Sequence, residues 1–201
     1  MVVFDANAIL MVLKPDAPHP VDRAKDRIEF LITTLEEGRE KIIIPAPCLA
    51  EVLVWSGSAS EDYLRTLNST TRFKIEPFDQ IAAIELANMH RAAIKKGDKR
   101  GDTPNAAWPK VVFDRQIVAI AKASSARAIY SDDADVYKHG KTAGIEVIRV
   151  ADLPLPKEEQ AQLFDVKENA PVTVGGEEEE TLPKTDEILP LDTSDKPKRN
   201  N

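Results

Sequence analysis

The sequence predicts an α/β domain built on a mostly parallel sheet with helices on its faces. Three observations predict it. Short apolar runs rich in β-branched residues recur along the chain, beginning with VVF at 2–4 and KIIIP at 41–45. Between them lie longer segments whose apolar residues repeat with the helical period. Strand-like runs alternating with helix-like segments require crossover connections, and crossovers leave neighbouring strands parallel.

Taken in order, VVF at 2–4 is a buried strand that ends at Asp5. Residues 22–37 form a helix, because Ala24, Ile28, Leu31, Ile32 and Leu35 share one face and Gly38 supplies a C-cap. KIIIP at 41–45 is a second strand, stopped by Pro45. Residues 47–55 form a helix with Pro47 in its first turn, where no amide hydrogen is needed. A short helix over 60–67 leads to a strand over 73–75. Residues 79–96 form a long helix, with Asp79 as N-cap and a basic end that suits the helix dipole. The stretch 97–109 carries Gly97, Gly101, Pro104, Pro109 and Trp108, and reads as a loop. A helix over 113–122 places Phe113, Ile117, Ile120 and Ala121 on one side, and a strand over 127–130, a helix over 134–143 and a strand over 145–148 complete the body.

The body ends near ADLPLP at 151–156, dividing the chain into a domain over 1–153 and a tail over 154–201. The tail holds GGEEEE, Pro183, Pro190 and Pro197, and is too poor in apolar side chains to build a core, so disorder is expected there. Residues 157–201 carry 12 acidic and 6 basic residues, leaving 22 and 21 for 1–156. The net charge of −7 therefore belongs mainly to the tail, and the near-neutral body keeps a nucleic-acid substrate open. No apolar run approaches the length of a membrane span. The opening MVVFDANAIL lacks the basic segment of a signal peptide. A single cysteine, Cys48, excludes an internal disulfide and fits a reducing cytoplasm, the expected location. His19, His90 and His139 lie on surface-like stretches without ligand spacing.

Four acids occupy special positions. Asp5 follows the first strand, and Asp133 lies in YSDDAD just after the fourth. Asp114 opens the helix FDRQIVAIAKA, and Glu51 is the lone charge in the apolar stretch PAPCLAEVLVW. Each has an ordinary reading. Asp114 caps a helix, Asp5 forms a turn with Asn7, Asp132 and Asp133 cap or turn, and Glu51 pairs with a base such as Arg115. Jointly, they sit at the carboxyl end of one sheet, where open parallel sheets bind ligands. Converging carboxylates repel unless a cation neutralises them, and hard divalent ions such as Mg²⁺ or Mn²⁺ suit that role.

The order and spacing of these segments resemble the PIN-domain family of metal-dependent ribonucleases. VVFDANAIL looks like its first motif, IIIPAPCLAEVL its second, KVVFDRQIVAIAKA its third and IYSDDADVYKHGKTAGIEVIRV its fourth. The resemblance spans residues 1 to 153 and implies a PIN-like three-layer α/β fold. It implies Asp5, Glu51, Asp114 and Asp133 as catalytic metal ligands, Asp135 as a further acid, and Asn7 and Ser131 as hydrogen-bonding supports. Asp132 occupies the variable slot between Ser131 and Asp133, where an adjacent Asp can take the place of Asp133. Lys110, Arg115 and Arg100 are the expected substrate contacts, and Trp108 either stacks on a base or pins its loop. The implied activity is Mg²⁺- or Mn²⁺-dependent hydrolysis of RNA; the alternative is a catalytically weak PIN-like module that binds RNA or protein. The implied partners are RNA, a second copy of the chain and an antitoxin-like inhibitor protein, as for toxin ribonucleases of toxin–antitoxin pairs. The chain is longer than those toxins by its Gly/Pro loop and acidic tail. That tail either folds over the basic surface or serves only to keep the chain soluble.

Overall fold

The computed structural model describes residues 1–156, so the acidic segment 157–201, with the disorder and self-inhibition considered for it, lies outside the described residues. The elements run β1 (Val2–Phe4), α1 (Ala6–Leu13), α2 (Ala24–Glu37), β2 (Ile42–Pro45), α3 (Ala46–Ser56), α4 (Ser60–Asn68), β3 (Phe73–Glu76), α5 (Gln80–Lys95), α6 (Trp108–Ala123), β4 (Ala128–Tyr130), α7 (Ala134–Ala143) and β5 (Glu146–Ile148).

The five strands form one sheet in the order β3-β2-β1-β4-β5, with every pair parallel. Val2 sits between Ile42 and Ala128 in the register. A parallel sheet covered on both faces needs strands that are apolar without alternation. The central strands meet that need, since VVF, IIIP and AIY are buried throughout. Edge strand β3, in contrast, leaves Lys74 and Ile75 exposed. The core joins Val2, Val3, Phe4 and Ile42–Ile44 to Ile9, Leu35, Val52, Leu67, Val118 and Ile120 of the helices. Among the described residues no helix is long and apolar enough to cross a membrane.

The chain steps outward from β1 to β2 to β3, then returns to place β4 on the other side of β1. The reversal between β1 and β4 opens a crevice at the carboxyl ends of the strands. Asp5 follows β1 and Ser131–Asp133 follow β4, so both segments border that crevice.

Two elements differ from the sequence expectation. The segment after Asp5 is a helix rather than an Asx-turn, because the Asp5 carboxylate caps it by accepting from the Ala8 amide at 2.8 Å. Its ANAILMVL sequence is also rich in good helix formers. Helix α6 begins at Trp108, not at Phe113, because Pro109 lies in its first turn, where a proline is tolerated. The loop is therefore 97–107, and Asp114 stands in the second turn rather than at a cap. On the far side of the crevice, α7 lies so close to β5 that a Cβ at Gly140 would overlap Cγ2 of Val147.

Candidate metal centre

Asp5 is 5% exposed, and its backbone N–H donates to the Tyr130 carbonyl at 3.2 Å. That bond ties the end of β1 to the end of β4. The Ser131 hydroxyl, itself buried, donates to the Asp5 carboxylate and accepts from the Asp133 N–H at 3.1 Å. Burial raises the Asp5 pKa to about 6; the Ala8 and Ser131 hydrogen bonds pull it down, and the neighbouring charges of Asp132 and Asp133 push it up.

Asp114, Asp133 and Asp135 form a cluster in which one ligand oxygen from each lies within 4.8 Å of the others. Asp133 divides its two oxygens between structure and crevice. Oδ1 caps α7 by accepting from the Asp135 and Val136 amides, at 2.7 and 3.3 Å. Oδ2 faces the cluster. Asp114 is buried, and burial raises its pKa to about 6 despite hydrogen bonding to Lys110. Two unit charges at this separation repel by about 3 kcal/mol at an effective dielectric of about 20, so the cluster demands positive charge. Three separate carboxylates this close can surround a hard cation with metal–oxygen distances of about 2.0–2.6 Å.

The positive charge present is Lys110. Its Nζ lies 2.6 Å from Asp114, 2.9 Å from Asp133 and 3.4 Å from Asp135. Burial opposes its charge, but the hydrogen bonds to Asp114 and Asp133 outweigh that and hold it protonated. Lys138 meets the other oxygen of Asp135 at 3.0 Å and, with Lys110, keeps that carboxyl below its ordinary range. Lys110 was expected to grip substrate, and its ammonium is instead engaged by the acids. Because Lys110 and Asp114 are four residues apart, one helical turn brings them together. A helix taken to begin at Phe113 conceals that spacing.

The other expected residues divide. Glu51 is exposed rather than buried and stands outside the cluster of Asp114, Asp133 and Asp135. The apolar character of PAPCLAEVLVW misled here: Cys48, Val52 and Ser56 face the core, while Val54 and Trp55 are 76% and 69% exposed. Glu51 stands one turn from Cys48 on α3, and burial, with the charges of Asp5, Glu51 and Asp114, pushes the Cys48 thiol up. Asp132 turns away, accepting from the Val150 amide at 2.8 Å and pairing with His19 at 3.2 Å. Asp135 is thus the member of the DDAD stretch that joins Asp133. Asn7 is exposed and makes no hydrogen bond to Asp5 among the described residues.

Arg115 is not a surface contact. It is 3% exposed, and its guanidinium donates to the carbonyls of Lys99 and Arg100 at 2.8 and 3.0 Å, clamping the 97–107 loop onto α6. Arg100 is half-buried, with its Nε enclosed and without a hydrogen-bond partner among the described residues. Trp108 pins the same loop, with Lys99 over its ring at 4.6 Å and His90 at 5.2 Å. His139 is buried rather than surface-like, 3.4 Å from the Thr103 hydroxyl, and burial lowers its pKa to about 4.

No family model matches the chain, and no curated protein matches it. Among solved structures it is similar to FitAB bound to an IR36 DNA fragment, at 20% identity and a TM-score of 0.52, over 77% of this chain and 98% of that one. It is similar to VapBC2 from Rickettsia felis bound to a DNA fragment from their promoter, at 15% identity and 0.51, over 74% and 98%. It is also similar to DNA-bound VapBC from Salmonella typhimurium, at 15% identity and 0.50, over 74% and 97%. At such identities the shared property is the arrangement of elements around the sheet. The chain has the PIN-like α/β fold that its four sequence motifs resemble.

Proposed function

We propose that the chain is a metal-dependent endoribonuclease whose cation is held by Asp114, Asp133 and Asp135. Asp5 stands beside them, and the motif resemblance adds Glu51 as a further acid. The observation that carries this reading is the convergence of three carboxylate oxygens within 4.8 Å at the carboxyl end of a parallel sheet. The donor set is all oxygen, which favours Mg²⁺ or Mn²⁺ over softer ions. When bound, such an ion lowers the pKa of a coordinated water and screens charge on the leaving oxygen. Ser131 ties the Asp5 carboxylate to the Asp133 backbone at the start of α7. Neither Cys48 nor His139 is placed to act as nucleophile or base. The Cys48 thiol is fully buried and its pKa is driven up, and His139 is buried and neutral at physiological pH.

RNA as the substrate rests on the motif resemblance. An antitoxin-like inhibitor protein is the partner to seek, since two fold neighbours were solved as VapBC assemblies bound to DNA. Coexpression with the adjacent gene and copurification tests the partner, and size-exclusion with light scattering tests a homodimer. For the activity, wild-type protein is expected to cleave single-stranded RNA with Mg²⁺ or Mn²⁺ and to stop in EDTA. Asp133→Asn is expected to stay folded and inactive. Cleavage by that variant at the wild-type rate overturns the reading.

One observation favours a second reading, a PIN-like module that binds RNA or protein without cutting it. Lys110 already neutralises part of the acid cluster. That reading predicts RNA or partner binding that is indifferent to EDTA and no cleavage with any divalent ion.

A further inference from the structure

We propose that Lys110 is a tethered counter-ion that a divalent metal must displace, so that ammonium and metal alternate at the same carboxylate oxygens. This rests on the metal-site reading above. The structure assigns the competition atom by atom. Asp133 Oδ1 is spent on the amides of α7, and Asp135 Oδ1 on Lys138. Oδ2 of Asp114, of Asp133 and of Asp135 all face Lys110 Nζ, at 2.6, 2.9 and 3.4 Å. An ammonium seated there leaves no room for a metal bonded to the same atoms, and its charge repels one. Nor is Lys110 locked in place. Its side chain is 42% exposed and stands in the first turn of α6, so its four-carbon stem can swing into solvent without moving the helix.

The lysine therefore does two things. Without metal it holds together acids that would otherwise push α6 and α7 apart. In the presence of metal it sets the concentration at which the site fills, because the ion must release the ammonium before it can bind. Removing the lysine weakens the metal-free protein and tightens metal binding at once. A lysine that merely decorates the helix surface does neither.

Mn²⁺ titrated calorimetrically into the full chain tests this, with wild type, Lys110→Met and Lys110→Gln compared. Both variants are expected to bind Mn²⁺ about ten- to a hundredfold more tightly than wild type, within the usual range for coupled binding. In EDTA both are expected to melt below wild type, and Mn²⁺ is expected to close the gap. Equal affinity in all three overturns the displacement and leaves the metal site standing. Failure of all three to bind Mn²⁺ overturns the site and the displacement with it. If the variants do not fold, acylation of wild-type lysines read by peptide mass spectrometry decides. Lys110 labelling is expected to rise several-fold on adding Mn²⁺ relative to the exposed Lys95, and unchanged labelling overturns the proposal.

Discussion

Replacing Asp5 by Asn should make the metal-free protein more stable, and by an amount that depends on pH. Asp5 is 5% exposed, and burial sets its pKa at about 6 in the fold against 3.8 for an ordinary aspartate. A carboxyl that binds its proton more tightly when folded opposes folding wherever it is ionised. From these two values the opposition is about 3 kcal/mol, fully present above about pH 6. It shrinks as pH falls from 6 towards 3.8 and is absent below. Asn caps a helix as well as Asp does, so the bond from the Ala8 amide survives the exchange. Asp5→Asn should therefore gain about 3 kcal/mol at about pH 8 in EDTA, or about 6–12 °C in Tm for a domain of this size. At about pH 4 the gain should vanish. Urea denaturation across that pH range, followed by circular dichroism, measures it. Saturating Mn²⁺ should reverse the order, because only the wild type keeps the full set of acids for the ion to stabilise. A variant less stable at pH 8, or a gain that does not change with pH, would refute the claim that a buried, ionised Asp5 strains this fold.

Asp114→Asn should lower Mg²⁺-dependent cleavage more than about a hundredfold, since even residues that only support metal ligands cost up to that much; single-turnover rates on labelled RNA measure it. Glu51→Gln should change metal-free stability by less than about 0.5 kcal/mol, as an exposed residue does, while lowering cleavage at least about tenfold. Gly140→Ala should cost about 1–3 kcal/mol in urea, because its methyl overlaps Val147 where α7 meets β5. Arg115→Met should free the 97–107 loop, costing about 1.5–3 kcal/mol for each of its two carbonyl bonds and exposing the loop to limited proteolysis.

Much of this fold is legible locally. Runs such as VVF and IIIP are apolar without alternation, which only a covered parallel sheet explains, and all five expected strands are present. Asp133 follows β4 where a parallel sheet opens its crevice, whereas Asp114, in the second turn of α6, was linked to it only through the motif resemblance. The failures share a cause. Glu51 was expected to be buried because its neighbours are apolar, yet a helix covers a core with one face only, and Trp55 and Val54 point outward with it. Arg115 was expected to contact substrate because it flanks Asp114, yet it is spent on backbone carbonyls that no local pattern reveals. Lys110 was read as a free base because α6 was started one turn too late. Composition says what a residue prefers; which partner it finds depends on helix phase and on chain that folds back from far away.

The central claim is that Asp114, Asp133 and Asp135 converge to hold a divalent cation. Anomalous diffraction from crystals soaked in Mn²⁺ tests it most directly. An anomalous peak bounded by those three carboxylates is expected, with the Lys110 side chain swung away from them. A map without density there, or with its peak at other residues, contradicts it.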